Sequence, residues 1–290
     1  MENNQEEKTL TSAGVLDKYK AAGEIANSVL REILSKCMDG ADIHDLCKFG
    51  NNRIREELDK TYTSKNIEKG PAFPVCISVN QVCCHFCPLK EDSISLKNGD
   101  LVKIDLGVHI DCFPVMVAHS MIVGGKSNDS DIENVASAAK ECLLGAVKSL
   151  APEVNNYDIT KIIGDIANLY NCQPLEGVLS HEIKQYAIDG VRVIISKDTP
   201  EHKVDSFKIK PYDIFAIDVT LSSNSEEGKT KESELRTSVF KRNIDATTDI
   251  KSKLGRQAYN EIRAKFSDFG FTLNDFEDLI VFLKASQSWD

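Results

Sequence analysis

The chain has 290 residues, of which 41% are hydrophobic and 28% charged, and a formal net charge of −10 at pH 7. A chain of this length can bury the core of one large domain or of two smaller ones. The negative balance argues against generic electrostatic coating of nucleic acid. Apolar runs fall short of the roughly 18 residues that a membrane helix needs, so we expect no membrane partner. The acidic, polar start is unlike a signal or transit peptide, and we expect residues 1–11 to form a disordered tail.

Apolar periodicity predicts helix pairs that alternate with strands. In chain order, the predicted elements are helices over about 12–36 and 43–58, strands over 72–80, 101–112 and 113–123, helices over 130–150 and 156–170, strands over 212–222 and near 236–241, and helices over 247–267 and 273–285. Asp42 is the predicted N-cap of the second helix.

Nine cysteines without a secretory signal indicate reduced thiols rather than a disulfide framework. Cys84 and Cys87 form a CxxC pair flanked by Cys83 and His85, but no second CxxC completes a structural zinc site. On a strand, the adjacent Cys83 and Cys84 would face opposite sides, so buried thiols are the preferred interpretation. Three further histidines are interpreted as surface or loop residues: His44, His109 and His202.

One internal repeat indicates a duplicated half. The segments LKNGDLVKIDL (96–106) and IKPYDIFAIDV (209–219) align without a gap. Each copy lies on a predicted strand and ends in an aspartate between aliphatic residues. Alternation along a strand places Asp105 and Asp218 on the face opposite the bulky aliphatic side chains. An ionised carboxylate there must be solvated, paired or bound to a metal.

The hairpin formed by 101–112 and 113–123 offers no second carboxylate. With Ile110 and Asp111 as a two-residue turn, Asp105 lies opposite Met116 on the same face. The return strand FPVMVAHSMIV contains neither Asp nor Glu, and His119 belongs to the other face. A thioether is a poor partner for hard ions such as Mn²⁺ or Mg²⁺. A carboxylate pair therefore cannot be built on this hairpin.

Four segments together are similar to a known family: FPVCISVNQVCCHF, LVKIDLGVHIDCFPVMVAH, PLEGVLSHEIKQYAIDG and IFAIDVTLSS. They resemble the type 2 methionine aminopeptidases, and most of all their non-catalytic branch, the proliferation-associated, ErbB receptor-binding proteins. The resemblance covers about residues 12–278. It implies an α+β pita-bread (creatinase/aminopeptidase) fold in a single domain over 12–290. The pseudo-two-fold related halves are expected at about 12–125 and 126–245.

In active members of that family, two divalent metals are held by two Asp, one His and two Glu. The resemblance implies that the first Asp is Asp105, that the second falls on Met116, the His on His181 and the first Glu on Asp218. The last Glu belongs to C-terminal strands that this chain is expected to lack. Their absence would leave an unpaired sheet edge. The hypothesis is either that the chain is a shortened natural variant or gene model, or that another element covers that edge.

The resemblance also places Asp189 where active members carry a second histidine, and His85 on the substrate-side histidine. A catalytic metal needs a complete and well-oriented set of ligands, so neither a metal cofactor nor a catalytic residue is expected. The alternative is a single, loosely held ion on Asp105, His181 and Asp218. We refer to six positions as the pocket residues: His85, Asp105, Met116, His181, Asp189 and Asp218.

The expected function is that of a catalytically inactive, aminopeptidase-like adaptor. The resemblance implies association with ribosomes and structured RNA in translation, rRNA processing and growth control, in the cytoplasm and the nucleus or nucleolus, with regulatory proteins as further partners. Two alternatives stay open. One is a residual metal-dependent methionine aminopeptidase, and the other is a protein-interaction or transcriptional regulator without RNA contact.

A basic stretch in the otherwise acidic chain supplies candidate RNA contacts. Residues 241–265 carry seven Lys or Arg against three acids. Such side chains can hold phosphates by charge without reading bases, although a solvated helix face has the same composition. The candidates are Lys241, Arg242, Lys251, Lys253, Arg256, Arg263 and Lys265.

Overall fold

The computed structural model describes residues 8–63, 66–223, 228–244, 250 and 252–276. Its helices and strands, in chain order, are α1 (Val15–Lys36), α2 (Ile43–Asp59), β1 (Lys69–Val79), β2 (Leu101–Ile110), β3 (Phe113–Ile122), α3 (Ser130–Ser149), α4 (Asn156–Leu169), β4 (Cys172–Pro174), β5 (Leu179–Glu182), β6 (Val193–Ile195), β7 (Phe215–Ala216), β8 (Leu221–Ser223), β9 (Val239–Lys241), α5 (Lys253–Phe266) and β10 (Gly270–Thr272). Short 3-10 turns lie at Lys90–Asp92, Val123–Gly125 and Leu273–Asp275.

Most predicted elements lie where the periodicity places them, and two differ. The strand predicted over 212–222 is interrupted: β7 and β8 each pair for only two or three residues, and they belong to different sheets. Of the helix predicted over 273–285, the structure describes only the turn Leu273–Asp275 and residue 276, and the rest lies outside the described residues. Residues 1–7 of the predicted N-terminal tail also lie outside them.

The first half is a sheet covered by two helices. Strands β1, β2 and β3 pair antiparallel in that order, and α1 and α2 pack on one face. The apolar stripes of both helices meet the aliphatic side of β1 and β2 in a core that includes Ile33, Ile54 and Ile104, each almost fully buried. Burying side chains of this size contributes roughly 1.5–3 kcal/mol each.

The second half repeats this plan with shorter strands. Helices α3 and α4 pack together, and their core includes Ile159, Ile163 and Ile194. The strands divide into a three-stranded sheet, β6-β5-β7, and a two-stranded sheet, β4-β8. Helices α2 and α4 have N-caps at equivalent positions of the two halves: Asp42 accepts from the Asp45 N–H, and Asn155 accepts from the Tyr157 N–H.

The sequence repeat is also a repeat of hydrogen bonds. The Leu96 N–H donates to the Ala41 carbonyl at 2.8 Å, and the Ile209 N–H donates to the Val154 carbonyl at 2.9 Å. The donor and the acceptor of the second hydrogen bond each lie the same number of residues after those of the first. The same number of residues separates the two copies of the repeat. The two copies therefore hold the same position against the loop that precedes α2 in one half and α4 in the other.

The turn that leads into each aspartate-bearing strand is likewise the same in both copies. The Asp100 carboxylate accepts from the Lys97 N–H at 2.8 Å. The Asp213 carboxylate accepts from the Lys210 N–H at 2.8 Å. These identities support the duplicated halves, while the limits of each half, near 125 and 245, stay a prediction.

A small apolar cluster joins the parts of the molecule. Ala72 at the start of β1, Cys112 in the β2–β3 turn, Ile188 after β5 and Phe269 after α5 are all buried in it. This cluster therefore connects both halves with the C-terminal part of the described chain. Among the described residues, no helix combines the length and the apolar character that crossing a membrane requires.

Candidate functional site: a pocket without its bridging carboxylate

The β2–β3 hairpin fixes the first pocket residues, and its register differs from the predicted one. The turn is Asp111-Cys112, both with positive φ, rather than Ile110-Asp111. Asp105 therefore lies opposite Ala118, and Gly107 lies opposite Met116. The prediction that Asp105 faces Met116 directly is wrong by two residues. A register shift of two residues leaves each side chain on the same face of the sheet, so Met116 still projects from the face that carries Asp105. Strand β3 contributes no carboxylate to that face.

Met116 is packed as an apolar side chain. It is partly buried against the small cluster of Ala72, Cys112, Ile188 and Phe269. Its sulfur lies directly over Gly107, where an added Cβ would stand 2.5 Å from the sulfur and 2.9 Å from the Phe73 nitrogen. The absence of a side chain at Gly107 therefore makes room for the thioether. Met116, where the resemblance places a carboxylate of active relatives, therefore makes apolar contacts in this structure.

Asp105 is buried at a position where its surroundings, taken together, do not favour its charge. Its carboxyl accepts the backbone N–H of His85, while Cys76 lies opposite it on β1. Its Oδ1 is shielded from solvent and has no hydrogen-bond partner among the described residues. Burial, and then the negative charge of Asp218, raise the pKa of Asp105 to about 8. At neutral pH this carboxyl therefore keeps its proton for most of the time.

Asp218 and His181 come from the second half. The Asp218 N–H donates to the Ser180 hydroxyl at 2.9 Å, which ties the residue to β5 beside His181. Burial raises the pKa of Asp218, while the nearby rings of His181 and His85 lower it. The Nδ1 of His181 is shielded and has no partner among the described residues. Four pocket residues thus lie close enough to influence one another's charge.

His85 lies on the loop after β1 with a positive φ of 60°. Its ring contacts the Phe73 ring with centroids 4.9 Å apart. Burial lowers the pKa of His85, although the charge of Asp218 acts in the opposite direction. The structure therefore brings a neutral imidazole to the same pocket as the two aspartates.

Asp189 forms an ion pair instead of taking the part of a histidine. Both of its carboxylate oxygens accept from the Lys241 ammonium of β9, at 2.5 and 2.6 Å. The pair is partly exposed, so its contribution to stability is modest. The resemblance places a histidine of active relatives at this position, and here the position holds a carboxylate paired with lysine.

The pocket residues do not fit the two-metal centre of active relatives. Within the described part of the chain, no three His, Cys, Asp or Glu side chains are grouped so that they could hold a metal ion. Met116 supplies a soft sulfur where a hard, charged, bridging oxygen is needed. At the position where the resemblance places the first Glu, this chain has the shorter carboxylate of Asp218. No catalytic step through a metal can be derived from these residues.

The structure divides the predicted RNA contacts into two groups. Lys241 is paired with Asp189, Arg242 with Asp268, and Lys265 with Glu261. Lys253, Arg256 and Arg263 are exposed on α5, and Lys251 lies outside the described residues.

Three exposed cations of α5 share one face of the helix, while Lys265, which is paired with Glu261, lies off that face. At about 100° per residue, Lys253, Arg256 and Arg263 fall within about 80° of one another. The buried side, which includes Ile262 and Phe266, is roughly opposite. We call these three residues the α5 basic face. The Arg256 guanidinium also donates to the Ile250 carbonyl at 3.0 Å, which orients it.

Two features were missed by reasoning from the sequence. His109 was expected at the surface but is only 3% exposed, and its ring stacks on Phe269 at a centroid distance of 4.3 Å. Its alternation with Ile110 and Val108 on a strand buried on both faces could have indicated this. Cys83 and Cys84 lie on the loop after β1 rather than on a strand. The parity argument that separated them therefore does not apply. Cys83 is partly exposed and Cys84 is exposed, so the interpretation as buried thiols is wrong for this pair.

Comparison with protein families gives a match over most of the chain. Residues 17–238 match the model of metallopeptidase family M24. The chain is 38% identical to proliferation-associated protein A of Dictyostelium discoideum, over 93% of this chain and 71% of the relative. It is 37% identical to ERBB-3 binding protein 1 of Solanum tuberosum, over 96% and 72%. It is 31% identical to a methionine aminopeptidase of Thermococcus onnurineus, over 68% and 61%.

Solved structures share the fold. A thermophilic Arx1 superposes with a TM-score of 0.84 at 24% identity, covering 95% of this chain and 80% of that one. A methionine aminopeptidase of Thermotoga maritima superposes with a TM-score of 0.62 at 21% identity, covering 73% and 81%. At these identities the likeness establishes the architecture alone, and it confirms the expected pita-bread fold.

Proposed function

Because this chain belongs to metallopeptidase family M24 and, within it, to the proliferation-associated and ErbB-3-binding proteins, we propose that it is a catalytically inactive aminopeptidase-fold protein that acts by binding. The observation that carries the proposal is Met116. Its sulfur lies in an apolar cluster, over Gly107, where the resemblance places the carboxylate that bridges two metals. The Asp189–Lys241 ion pair supports the same conclusion at a second catalytic position.

The test of inactivity is a peptidase assay with added metal. Purified protein is titrated calorimetrically with Co²⁺ and with Mn²⁺ and then assayed on a peptide with an N-terminal methionine. An archaeal methionine aminopeptidase serves as the positive control. We expect no turnover at either metal, because the bridging ligand is absent. Turnover that disappears in His181→Ala would contradict the proposal and establish the residual aminopeptidase instead.

For the partner, we propose structured RNA of the ribosome, which implies a cytoplasmic and nucleolar location. The α5 basic face supports this, since Lys253, Arg256 and Arg263 present three positive charges on one exposed helix surface of an acidic protein. Contacts of this kind hold phosphates and carry little base specificity. One relative, from Schizosaccharomyces pombe, bears the name curved DNA-binding protein, and it is 35% identical to this chain.

Charge reversal of the α5 basic face tests the RNA proposal. The variant combines Lys253→Glu, Arg256→Glu and Arg263→Glu. The matched control reverses three exposed lysines elsewhere, Lys140, Lys148 and Lys161, for the same change in net charge. Both are measured for co-sedimentation with ribosomal subunits and for binding to rRNA fragments at several salt concentrations.

We expect the α5 variant alone to lose RNA binding. Its slope of log affinity against log salt should fall by about one for each phosphate that the variant no longer holds. Equal binding by the α5 variant, the control and the wild type would show that this face is not the contact. RNA binding absent even from the wild type would favour the alternative of a protein-interaction regulator, in line with the name ErbB-3 binding protein in relatives.

A further inference from the structure

A cavity of about 280 Å³ lies between the N-terminal segment and the second half of the molecule. Its walls are residues 8–10, Tyr19 of α1, residues 182–184 at the end of β5, Arg192, and residues 210 and 212–214 before β7. None of the pocket residues and no residue of the α5 basic face is among these described walls. The volume is close to the lower end of the range for small-ligand sites, about 300–1,000 Å³. The cavity is therefore a separate place with room for one small ligand.

The charge of this cavity is opposite to that of the whole protein, which carries −10. Six charged side chains line it, with a net charge of +2: Lys8, Glu182, Lys184, Arg192, Lys210 and Asp213. Both carboxylates are engaged by Arg192, and the Glu182 carboxylate also lies 3.7 Å from the Lys184 ammonium. Lys8 and Lys210 are exposed. Because the acids are already paired, the lysines make the cavity favourable for an anionic ligand.

One wall of the cavity is Tyr212, whose backbone conformation is one that glycine normally adopts. In the internal repeat, Tyr212 corresponds to Gly99, and both have a positive φ, 71° and 92°. The Asp213 N–H donates to the Lys210 carbonyl at 3.2 Å, and the corresponding turn of the first half is closed in the same way at 3.0 Å. A side chain at this place of a turn is strained, because its Cβ is crowded. Tyr212 is 65% exposed, so burial of its ring does not offset that strain. The fold therefore gains nothing from tyrosine here that glycine would not provide.

We propose that this cavity binds a nucleoside phosphate, either free or as an unpaired nucleotide of RNA, with the base stacked on Tyr212 and the phosphate held by Lys184 and Lys210. An exposed tyrosine ring offers a flat surface to any base, and lysine holds a phosphate with a charge on a flexible stem. A ring and cations that line the same small cavity fit a ligand that is both aromatic and anionic. The proposal is independent of the α5 basic face, which does not line the cavity.

An acidic peptide is the competing ligand, because lysines attract carboxylates as well as phosphates. The aromatic walls favour the nucleotide. Tyr19 is a fixed wall, since its ring packs against Phe113 with centroids 5.3 Å apart, and Tyr212 is an exposed one. A short acidic peptide would bind through charge alone and leave both rings without a stacking partner. A nucleoside phosphate uses the ring and the cations together.

Calorimetric titration of the full-length chain with AMP tests the proposal, and adenosine and inorganic phosphate are titrated separately. We expect AMP to bind about tenfold more tightly than either part, because stacking and charge act together. A labelled hexa-adenylate, followed by fluorescence anisotropy, distinguishes the two sources of the ligand. Binding tighter than that of AMP, and lost in Tyr212→Gly, identifies single-stranded RNA, whereas equal or weaker binding identifies the free nucleotide. A diglutamate peptide that binds more tightly than AMP would overturn the proposal.

Tyr212→Gly separates binding from folding. Glycine adopts the positive φ without strain, as Gly99 does in the first half, so the urea midpoint of unfolding should not fall. The affinity for AMP should fall about tenfold, because the stacking surface is lost, while Tyr212→Phe should keep it. The matched control is Tyr186→Gly, at an exposed tyrosine that also has a positive φ, 68°, and that does not line the cavity. This control should bind AMP as the wild type does.

Lysine substitutions test the phosphate contact. Lys184→Gln combined with Lys210→Gln should weaken AMP binding and reduce its salt dependence. Lys140→Gln combined with Lys148→Gln, at exposed lysines of α3, changes the net charge equally and should do neither. The charge reversal of the α5 basic face should leave AMP binding unchanged, so a failed RNA contact at α5 and a failed cavity are distinguished. AMP binding that is undetectable in the wild type, or that stays at wild-type strength in Tyr212→Gly, would refute the proposal.

Discussion

Met116 and Gly107 show how single residues decide the chemistry of the pocket. The thioether fits because Gly107 has no side chain, and it packs, partly buried, against the cluster that contains Phe269 and Ile188. A carboxylate in that place would be buried beside Asp105, whose pKa is already raised to about 8 by burial and by Asp218. Without two metal ions to neutralise them, a third negative group there would be strongly destabilising. The apolar substitution is thus consistent with a pocket that works without metals.

His109 gives a prediction for acid stability. Burial lowers the pKa of this ring to about 4, against an ordinary value of about 6.5. The unfolded chain therefore binds a proton as pH falls through 6.5, while the folded chain resists until about 4. The stability that the neutral ring provides is complete above pH 6.5 and is lost between 6.5 and 4. The loss is at most about 3 kcal/mol.

Replacing His109 with a residue whose ring cannot take up a proton tests the predicted loss of stability at low pH. His109→Phe keeps the stacking on Phe269 and removes the unpaired, shielded Nδ1. We expect the free energy of unfolding, measured by urea titration, to fall less between pH 7 and pH 4.5 in the variant than in the wild type. In the control His202→Phe, at an exposed histidine, the free energy of unfolding should fall between pH 7 and pH 4.5 by as much as in the wild type. An equally steep acid loss in His109→Phe would contradict the assignment.

The second half depends on one arginine that links three of its strands. Arg192 precedes β6, and its guanidinium donates to Glu182 of β5 and to Asp213 before β7, the latter at 2.6 and 2.7 Å. Its guanidinium carbon also lies near the stacked rings of Phe207 and Phe215, 5.4 and 5.6 Å from their centroids. The strands it links are only two to four residues long, so their own hydrogen bonds are few.

Removal of this guanidinium should therefore destabilise the second half. Arg192→Met leaves Glu182, which is 6% exposed, without its main partner. Breaking a buried pair in this way typically costs about 3–5 kcal/mol. Lys161→Met is the matched control, because its pair with Asp165 is exposed on both sides and should contribute less than about 0.5 kcal/mol. Chemical denaturation gives both values, and similar losses would show that the link is not structural.

At the scale of the whole molecule, Phe269 joins parts that are distant in sequence. It is 1% exposed and packs against Ala72 of β1, Cys112 of the hairpin turn and Ile188 of the second half. Phe269→Ala should cost about 3–5 kcal/mol through reduced burial and the cavity that remains. Because the cluster spans both halves, the unfolding transition should also broaden.

A partly exposed phenylalanine of the same region provides the comparison. Phe240 of β9 is 37% exposed, and Phe240→Ala should cost about 1 kcal/mol. Differential scanning calorimetry of both variants distinguishes the two effects. If Phe269→Ala melts as sharply and at the same temperature as Phe240→Ala, the cluster does not couple the halves.

The sequence by itself determined the helix pairs, the hairpin and the duplicated plan. Helical and strand periodicities report which face of an element is buried, and the repeat places Asp105 and Asp218 at equivalent positions. The absence of any carboxylate on β3 follows from composition and parity alone, so it survived the error of two residues in the hairpin register. The type of each element and the residues on each of its faces are local properties, so the local order of residues is sufficient to predict them.

Only the tertiary structure decided which charges are paired and which polar side chains are buried. The Asp189–Lys241 pair joins residues 52 positions apart, so it could not be read from spacing. The burial of His109 depends on Phe269, which lies far along the chain. The exposure of Cys83 and Cys84 depends on the path of the loop after β1, which the hydrophobic pattern does not give. Ion pairs, burial and pKa values depend on distances across the fold, and the sequence determines those distances only through packing.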